Sequence, residues 1–212
     1  MPSANALDAV TVDAMGTLVE LPDPSDRLRA ALAAHGVDRT PGEVGAAFAA
    51  EAAYYIPHAH KGRDGESLTA LRRECARIFL SHLDAGLDAA DFVPSFLGAL
   101  EFRLVSDAER ALRALRGAGL ALACVTNWDI GFEEHLERLG LDSFFTTVVT
   151  SAEAGAPKPA PAVFALALER LGVGPERALH IGDGGADREG AAAAGLAFEP
   201  APLATLPERL GF

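Results

Sequence analysis

The chain has 212 residues, which is long enough for one large domain or for a domain that carries a sizeable insertion. Half of its residues are apolar, so we expect a folded protein rather than a disordered one. Thirty acidic residues against 18 basic ones give a formal charge of −12, which argues against nucleic acid or an anionic membrane as a partner.

The chain shows no sign of a leader, an anchor or a cysteine framework. Its first ten residues, MPSANALDAV, lack a basic stretch followed by an apolar one, and no apolar run approaches the roughly 18 residues needed to span a bilayer. Cys75 and Cys124 lie far apart without CxxC spacing, so we expect neither a zinc site nor a disulfide scaffold. We therefore expect a cytoplasmic protein, and separately we expect a monomer or homodimer.

The first half of the chain predicts one strand followed by helices. Residues 7–13, LDAVTVD, are apolar and β-branched and stop at a glycine-containing turn, which is typical of a buried strand. Residues 22–104 have helical periodicity in four segments separated by Gly or Pro, the last of them running from 89 to 104. We expect an all-helical insertion over 22–104, with residues 1–21 and 105–212 forming the other domain.

The second half predicts alternating helices and strands. A helix over 106–119 would begin at Ser106 as N-cap, with Glu109 three residues later completing a capping box. Beyond it we expect strands at 120–127, 145–151, 177–183 and 196–200, and helices at 131–140, 160–172 and 187–195. Such alternation with short loops predicts an α/β fold, a parallel sheet with helices on both faces.

Polar side chains stand where these strands stop. Ligands of open α/β sheets bind beyond the carboxyl ends of the strands. An aspartate, a threonine–asparagine pair, a lysine between prolines and a glycine-flanked aspartate pair all fall there: Asp13, Thr126, Asn127, Lys158, Asp183 and Asp187. Each alone is compatible with an ordinary turn, a solvated loop or, for Asp187, a helix N-cap. Their common position predicts one site.

The residue types at that site suit phosphate chemistry. Asp13 can act as a covalent nucleophile. Thr126 and the exposed amides near Asn127 can hold an anionic oxygen. Lys158 can neutralise a cluster of negative charge. Asp183 and Asp187, with a third carboxylate, can line a Mg²⁺ site, since this ion takes octahedral oxygen ligands.

Four segments, DAMGTL, VTN, GAPKPAPAVF and HIGDGGAD, together resemble the ordered motifs of the haloacid dehalogenase superfamily of aspartate-nucleophile hydrolases. The resemblance covers the whole chain. It implies a three-layer, Rossmann-like core formed by 1–21 and 105–212, with a helical cap over 22–104 inserted after the first motif.

The resemblance also implies roles for individual residues. Asp13 would be the nucleophile and a Mg²⁺ ligand, and the Met15 carbonyl and the Asp183 carboxylate would be further ligands. Asp187 would either bind the Mg²⁺ directly or lie next to the residues that bind it. Thr126 and the Asn127 amide would bind the phosphoryl group, which Lys158 would orient and neutralise.

Met15 departs from the family's pattern. Phosphatases of this family usually carry a second Asp there, which protonates the leaving group and then activates water. We therefore predict a Mg²⁺-dependent, phosphatase-like enzyme for a small phosphorylated metabolite, with weak activity on generic phosphoesters.

Three alternatives stay open. A 2-haloacid dehalogenase needs no leaving-group acid, but its relatives carry Tyr at this position and need no metal, whereas this chain keeps GDGGAD. A catalytically impaired relative could bind a phosphorylated ligand or a protein. A phosphonate-cleaving enzyme would need a cap lysine, and Lys61 lies in an expected surface loop.

Overall fold

The computed structural model describes residues 7–212, so the expectation about a leader falls in part on residues outside the described range. The chain forms two compact units. One contains residues 7–20 together with Arg103–Phe212, and the other is Leu21–Phe102.

The strands of the described residues are short, and all of them lie in the first unit. Within residues 7–212 they are β1 (Ala9–Val12), β2 (Val19–Glu20), β3 (Arg103–Leu104), β4 (Ala121–Thr126), β5 (Thr147–Thr150), β6 (Ala178–Gly182) and β7 (Ala197–Pro200). Five of them form a sheet in the order β5-β4-β1-β6-β7, and every neighbouring pair is parallel. The predicted parallel α/β sheet is confirmed.

The helices divide between the two units. Those of Leu21–Phe102 are α1 (Ser25–Ala34), α2 (Pro41–His58), α3 (Gly65–His82) and α4 (Ala89–Ala99). Those of the unit with the sheet are α5 (Ala108–Gly117), α6 (Phe132–Arg138), α7 (Ser151–Ala154), α8 (Ala162–Leu171), α9 (Gly185–Ala194) and α10 (Leu206–Leu210).

The central strand β1 is buried along its whole length. Ala9 belongs to an apolar cluster with Phe164 of α8 and Ala191 of α9, while Val10 and Val12, which point to the other face, are also inaccessible. Both faces of the sheet are therefore covered, as the near-continuous apolar sequence of β1 requires.

The helical unit has an apolar core of its own. Phe79 of α3 and Phe92 and Phe96 of α4 are buried with ring centroids 5.2–6.5 Å apart. Its helix α2 begins with a capping box, in which the Thr40 hydroxyl accepts from the Glu43 N–H and the Glu43 carboxylate accepts from the Thr40 N–H.

The capping box predicted at Ser106 is wrong. Helix α5 begins at Ala108 after Asp107, which adopts a left-handed conformation with φ 60°. The Ser106 hydroxyl bonds the Asp107 carboxylate at 3.3 Å, and Glu109 pairs with Arg113 one turn later. The left-handed residue turns the chain one position after Ser106, where the extended N-cap was expected.

Two predicted helix limits also differ from the structure. The helix expected over 89–104 ends at Ala99, and Arg103–Leu104 pairs antiparallel with Val19–Glu20 instead. Helix α9 begins at Gly185 rather than at Asp187, so Asp187 lies inside the first turn and is not the N-cap. Strands of two residues are too short to show a period in sequence, and helix ends carry an ordinary uncertainty of one or two residues.

Candidate active site

Adjacent strands of the sheet bring the predicted site residues to one edge. Asp13 follows β1, Thr126 ends β4 and Asp183 follows β6, and β4, β1 and β6 are neighbours. Since all three strands are parallel, their carboxyl ends meet. Asp13 and Thr126 are buried, whereas Asp183 is exposed.

Lys158 lies at the centre of the site as a buried cation. Its ammonium donates to Asp13 Oδ1 at 2.5 Å, to Asp187 Oδ1 at 2.6 Å and to the carbonyl of Val125 at 3.0 Å. All three donors of the ammonium are thereby used. Lys158 is not a solvated loop residue: it is a fixed bridge between two buried carboxylates.

Asn127 fixes the backbone of that lysine. Its carboxamide oxygen accepts from the Lys158 N–H at 2.7 Å, and its carboxamide nitrogen donates to the Lys158 carbonyl at 3.1 Å. The side chain of Asn127 is therefore engaged with the lysine loop. What remains at this position for an incoming anion is the backbone N–H.

Three carboxylates converge beside the lysine. Asp13, Asp183 and Asp187 each place an oxygen within 4.8 Å of the others. Burial raises the pKa of the Asp13 carboxyl to about 6, with a further contribution from Asp187 and opposition from Lys158. Burial and the charge of Asp187 also raise the pKa of Asp183.

Asp187 and Lys158 favour each other's charged state. Burial pushes the pKa of Asp187 upward, but the His180 hydrogen bond and the Lys158 charge outweigh it and hold that pKa below its ordinary value. Burial likewise opposes the charge of Lys158, and the two carboxylates outweigh it and raise the lysine pKa. With all four groups charged, the cluster carries two negative charges in excess.

The turn after Asp13 is tight and brings its backbone to Asp183. The Ala14 carbonyl accepts from the N–H groups of Leu18 and Val19 at 2.8 Å, and the Gly16 N–H returns to the Val19 carbonyl. Gly16 has φ +80°, and a Cβ there would overlap Asp183 Oδ2. The turn therefore requires glycine at this position.

Met15 is exposed, and its backbone carbonyl takes no part in the hydrogen bonds of the turn that the bridge to Val19 uses. The bridge between Met15 and Val19 uses the Ala14 carbonyl and the Gly16 N–H, so the carbonyl of Met15 points away from the pairing. The residue as a whole is 39% exposed. It offers no titratable group to the site.

Two further polar residues belong to the site although the sequence assigned them no role. Thr11 of β1 and His180 of β6 are register partners in an otherwise apolar pair of strands, and both are completely buried. His180 Nε2 lies 3.0 Å from Asp187 Oδ1, and its Nδ1 lies 2.8 Å from the Thr11 hydroxyl. Burial lowers the pKa of the imidazole. A polar residue inside each of two buried strands was the available signal, since buried polar groups require partners.

Lys61, which a phosphonate-cleaving enzyme would need as a cap lysine, is exposed at the end of a 3₁₀ turn, Ala59–Lys61, in the helical unit.

Over residues 7–212, every helix is too short or too polar to cross a bilayer.

Comparison with known proteins matches most of the chain to one family. The model of a family described as haloacid dehalogenase-like hydrolase matches residues 7–195. Haloacid dehalogenase-like hydrolase domain-containing protein 3 of Mus musculus is 39% identical over 102 residues, 48% of this chain and 41% of that protein. Ribulose-1,5-bisphosphate 5-phosphatase of Halopiger xanaduensis is 41% identical over 98 residues, 45% of this chain and 41% of that protein.

Both alignments span less than half the length of those relatives. Among solved structures, a HAD phosphatase from Thermococcus onnurineus superposes with a TM-score of 0.66 at 24% identity, covering 97% of this chain and 98% of that one. That likeness concerns the fold.

Proposed function

Because the chain belongs to the haloacid dehalogenase-like hydrolase family, we propose that it is a Mg²⁺-dependent, phosphatase-like hydrolase of small phosphorylated molecules in which Asp13 is the nucleophile. One observation carries the proposal. A buried aspartate at the end of the central strand is held by a buried lysine beside two more carboxylates. The Halopiger relative, named as a phosphatase of a phosphorylated sugar, supports the substrate class.

The residues at the site fit Mg²⁺. The donors are all oxygens, as this ion prefers, and the two negative charges in excess at the cluster match one divalent cation. Asp13, Asp183 and the Met15 carbonyl would hold the ion. Asp187 would contribute through Oδ2, which accepts one hydrogen bond, from the Gly184 N–H, whereas its Oδ1 accepts from both Lys158 and His180. When bound, Mg²⁺ supplies positive charge for phosphoryl oxygens.

The chain's own residues perform the displacement. An Asp13 carboxylate oxygen attacks phosphorus, the bond from phosphorus to the leaving oxygen breaks, and that oxygen takes a proton from solvent. The Thr126 hydroxyl and the Asn127 N–H donate to the phosphoryl oxygens, and Lys158 balances the added charge. The oxygen of a water molecule then attacks phosphorus, the bond from phosphorus to the Asp13 oxygen breaks, and a proton of the water passes to solvent, which releases phosphate and restores the Asp13 carboxylate.

Met15 determines which substrates react well. A thioether gives no proton to a leaving oxygen and takes none from water. An aryl phosphate, whose oxygen departs with little protonation, should therefore be hydrolysed faster than an alkyl phosphate. This dependence on the leaving group is the kinetic signature that the proposal predicts.

The substitution Met15→Asp tests the proposal. It places a carboxyl group where a proton donor and base is missing, and general acid–base catalysis contributes about 10²–10⁴-fold. We expect turnover of alkyl phosphates in Mg²⁺ to rise by about 10²-fold, with a smaller gain for aryl phosphates. Because Met15 is exposed, the fold should tolerate the change.

Met15→Asn is the matched control, since it has the same shape without the carboxyl group and should give no gain. Asp13→Asn should abolish hydrolysis in the wild-type and Met15→Asp backgrounds. Consumption of 2-chloropropionate in EDTA, with no Mg²⁺-dependent hydrolysis of any phosphoester, would contradict the proposal and favour a dehalogenase. Binding of a phosphorylated ligand without turnover would equally contradict it.

A further inference from the structure

His180 is enclosed by aromatic rings in the interior of the sheet unit. The Phe164 ring of α8 meets the imidazole edge-on at 4.8 Å, and the Phe198 ring of β7 lies 6.2 Å away. The imidazole is completely inaccessible. Both of its nitrogens must therefore find protein partners, because an unpaired buried nitrogen is costly.

Those partners determine the tautomer. Nε2 faces the Asp187 carboxylate at 3.0 Å, and a carboxylate only accepts, so Nε2 must carry the proton. Nδ1 lies 2.8 Å from the Thr11 hydroxyl and 3.1 Å from the Thr11 carbonyl. The hydroxyl lies 3.4 Å from the Leu179 carbonyl and can donate to the nearer Nδ1 when that nitrogen is unprotonated, whereas the Thr11 carbonyl would select the opposite tautomer. The Thr11 hydroxyl therefore matches the tautomer that Asp187 requires.

The far end of this chain of bonds reaches the nucleophile. Asp187 Oδ1 accepts from both His180 and Lys158, and Asp187 Oδ2 accepts from the Gly184 N–H at 3.1 Å. The carboxylate is thus fixed from three directions. Lys158 in turn donates to Asp13.

We propose that Thr11 and His180 form a buried relay that orients Asp187 and, through it, the ammonium of Lys158 against Asp13. His180 is a positioning residue: it touches neither the substrate nor the phosphorus. The inference deepens the proposed function. It rests on that function only where it predicts an effect on turnover. The orientation of Lys158 can be measured without any reaction.

Lysine occurs in the sequence at positions 61 and 158 only, which makes a spectroscopic test direct. In protein labelled with ¹⁵N-lysine and ¹⁵N-histidine, the exposed Lys61 serves as internal control for Lys158. In the wild type we expect the spectrum of His180 to be that of a neutral imidazole protonated at Nε2. His180→Phe should shift the Lys158 Nζ signal and speed its hydrogen exchange, without change at Lys61.

His180→Gln restores an N–H within reach of Asp187 and should return the Lys158 signal toward that of the wild type. Thr11→Val removes the hydroxyl that donates to Nδ1 and should shift the His180 Nδ1 signal, and Thr11→Ser should leave that signal unchanged. Phe198→Leu alters packing around the imidazole without touching the relay, so it should lower stability and leave the Lys158 signal in place.

Two further measurements connect the relay with function. Partners that orient metal-ligating groups contribute about 10–100-fold to affinity or activity. We therefore expect His180→Phe to weaken Mg²⁺ binding by about that factor in calorimetry, and to lower kcat with little effect on KM. His180→Gln should recover most of both.

An unchanged Lys158 signal in His180→Phe, or a wild-type imidazole protonated at Nδ1, would overturn the inference. So would an equal shift in Phe198→Leu, which would make the effect one of packing. If the chain hydrolyses no phosphoester but Lys158 responds as described, the relay stands and the proposed function fails. If hydrolysis occurs and Lys158 does not respond, the proposed function stands and the relay fails.

Discussion

At the scale of single residues, Lys158 holds together charges that would otherwise repel one another. Its ammonium lies between Asp13 and Asp187, and all three side chains are at least nine-tenths buried. A buried charge without a partner is costly. Removal of one partner of a buried ion pair therefore lowers the stability of the protein more than loss of an exposed ion pair does. The high pKa of the lysine and the low pKa of Asp187 express this mutual stabilisation.

Gly16→Ala should test the close approach of the turn to Asp183. Alanine at φ +80° incurs a cost of about 1–2 kcal/mol for the left-handed backbone. Its Cβ would also overlap Asp183 Oδ2, which must then move. We expect a lower urea midpoint and weaker Mg²⁺ binding in calorimetry.

Gly119→Ala is the matched control, because Gly119 has φ +86° in the same unit and a Cβ there would meet no described atom within 4 Å. It should show the backbone cost alone, with unchanged Mg²⁺ affinity. Equal effects of the two substitutions on stability and Mg²⁺ affinity would refute the importance of the contact with Asp183.

At the scale of secondary-structure elements, two helix starts that look alike in sequence differ in structure. Thr40 with Glu43 and Ser106 with Glu109 share the spacing of a capping box, but only the first forms it. We predict that Thr40→Ala destabilises the helical unit by about 1 kcal/mol. Ser106→Ala should change stability by less than about 0.5 kcal/mol.

Urea denaturation followed by circular dichroism measures both substitutions. The two variants serve as controls for each other, since each removes one hydroxyl before a helix. A cost for Ser106→Ala as large as that for Thr40→Ala would mean that its hydroxyl stabilises α5 in a way that its bond to Asp107 does not explain.

Elements were predictable where burial alone determines them. The apolar run of β1 is recognisable because a strand covered on both faces must be apolar throughout. The ribbon formed by Val19–Glu20 and Arg103–Leu104 was not, because its pairing is between residues more than 80 positions apart and each strand has two residues. Long-range pairing of that kind leaves no local periodicity.

The site shows the same limit. Lys158 and the aspartates could be selected as candidates because they stand at strand ends, where α/β sheets bind ligands. His180 could not be assigned in this way, since its partners are Thr11, 169 positions away, and an aspartate on the following helix. The engagement of the Asn127 carboxamide with the Lys158 backbone is likewise a tertiary contact.

At the scale of the whole molecule, the chain contains two units with separate apolar cores. The phenylalanine cluster of α3 and α4 lies within Leu21–Phe102, and the sheet unit buries its own cluster around Phe164. The sequence predicts these two units because strands and helices alternate in one region of the chain, whereas only helices are predicted in the other. The division at Leu21–Phe102 supports our prediction that residues 22–104 are an insertion, and we propose that the remaining core forms independently.

Removal of the insertion is the test at this scale. The chain leaves the core at Glu20 and re-enters it at Arg103, and these two residues are register partners in the antiparallel ribbon. Replacing Leu21–Phe102 by Asn-Gly should close the ribbon as a two-residue hairpin, because that dipeptide favours a type I′ turn. We expect the shortened chain to unfold cooperatively in urea, with a smaller m-value, since less surface is exposed. Its Lys158 Nζ signal should match that of the full chain.

Joining the ends with Pro-Pro, which cannot form this turn, should lower the urea midpoint. Non-cooperative unfolding of the Asn-Gly variant, or loss of the Lys158 signal, would show that the core and its site depend on the helical unit.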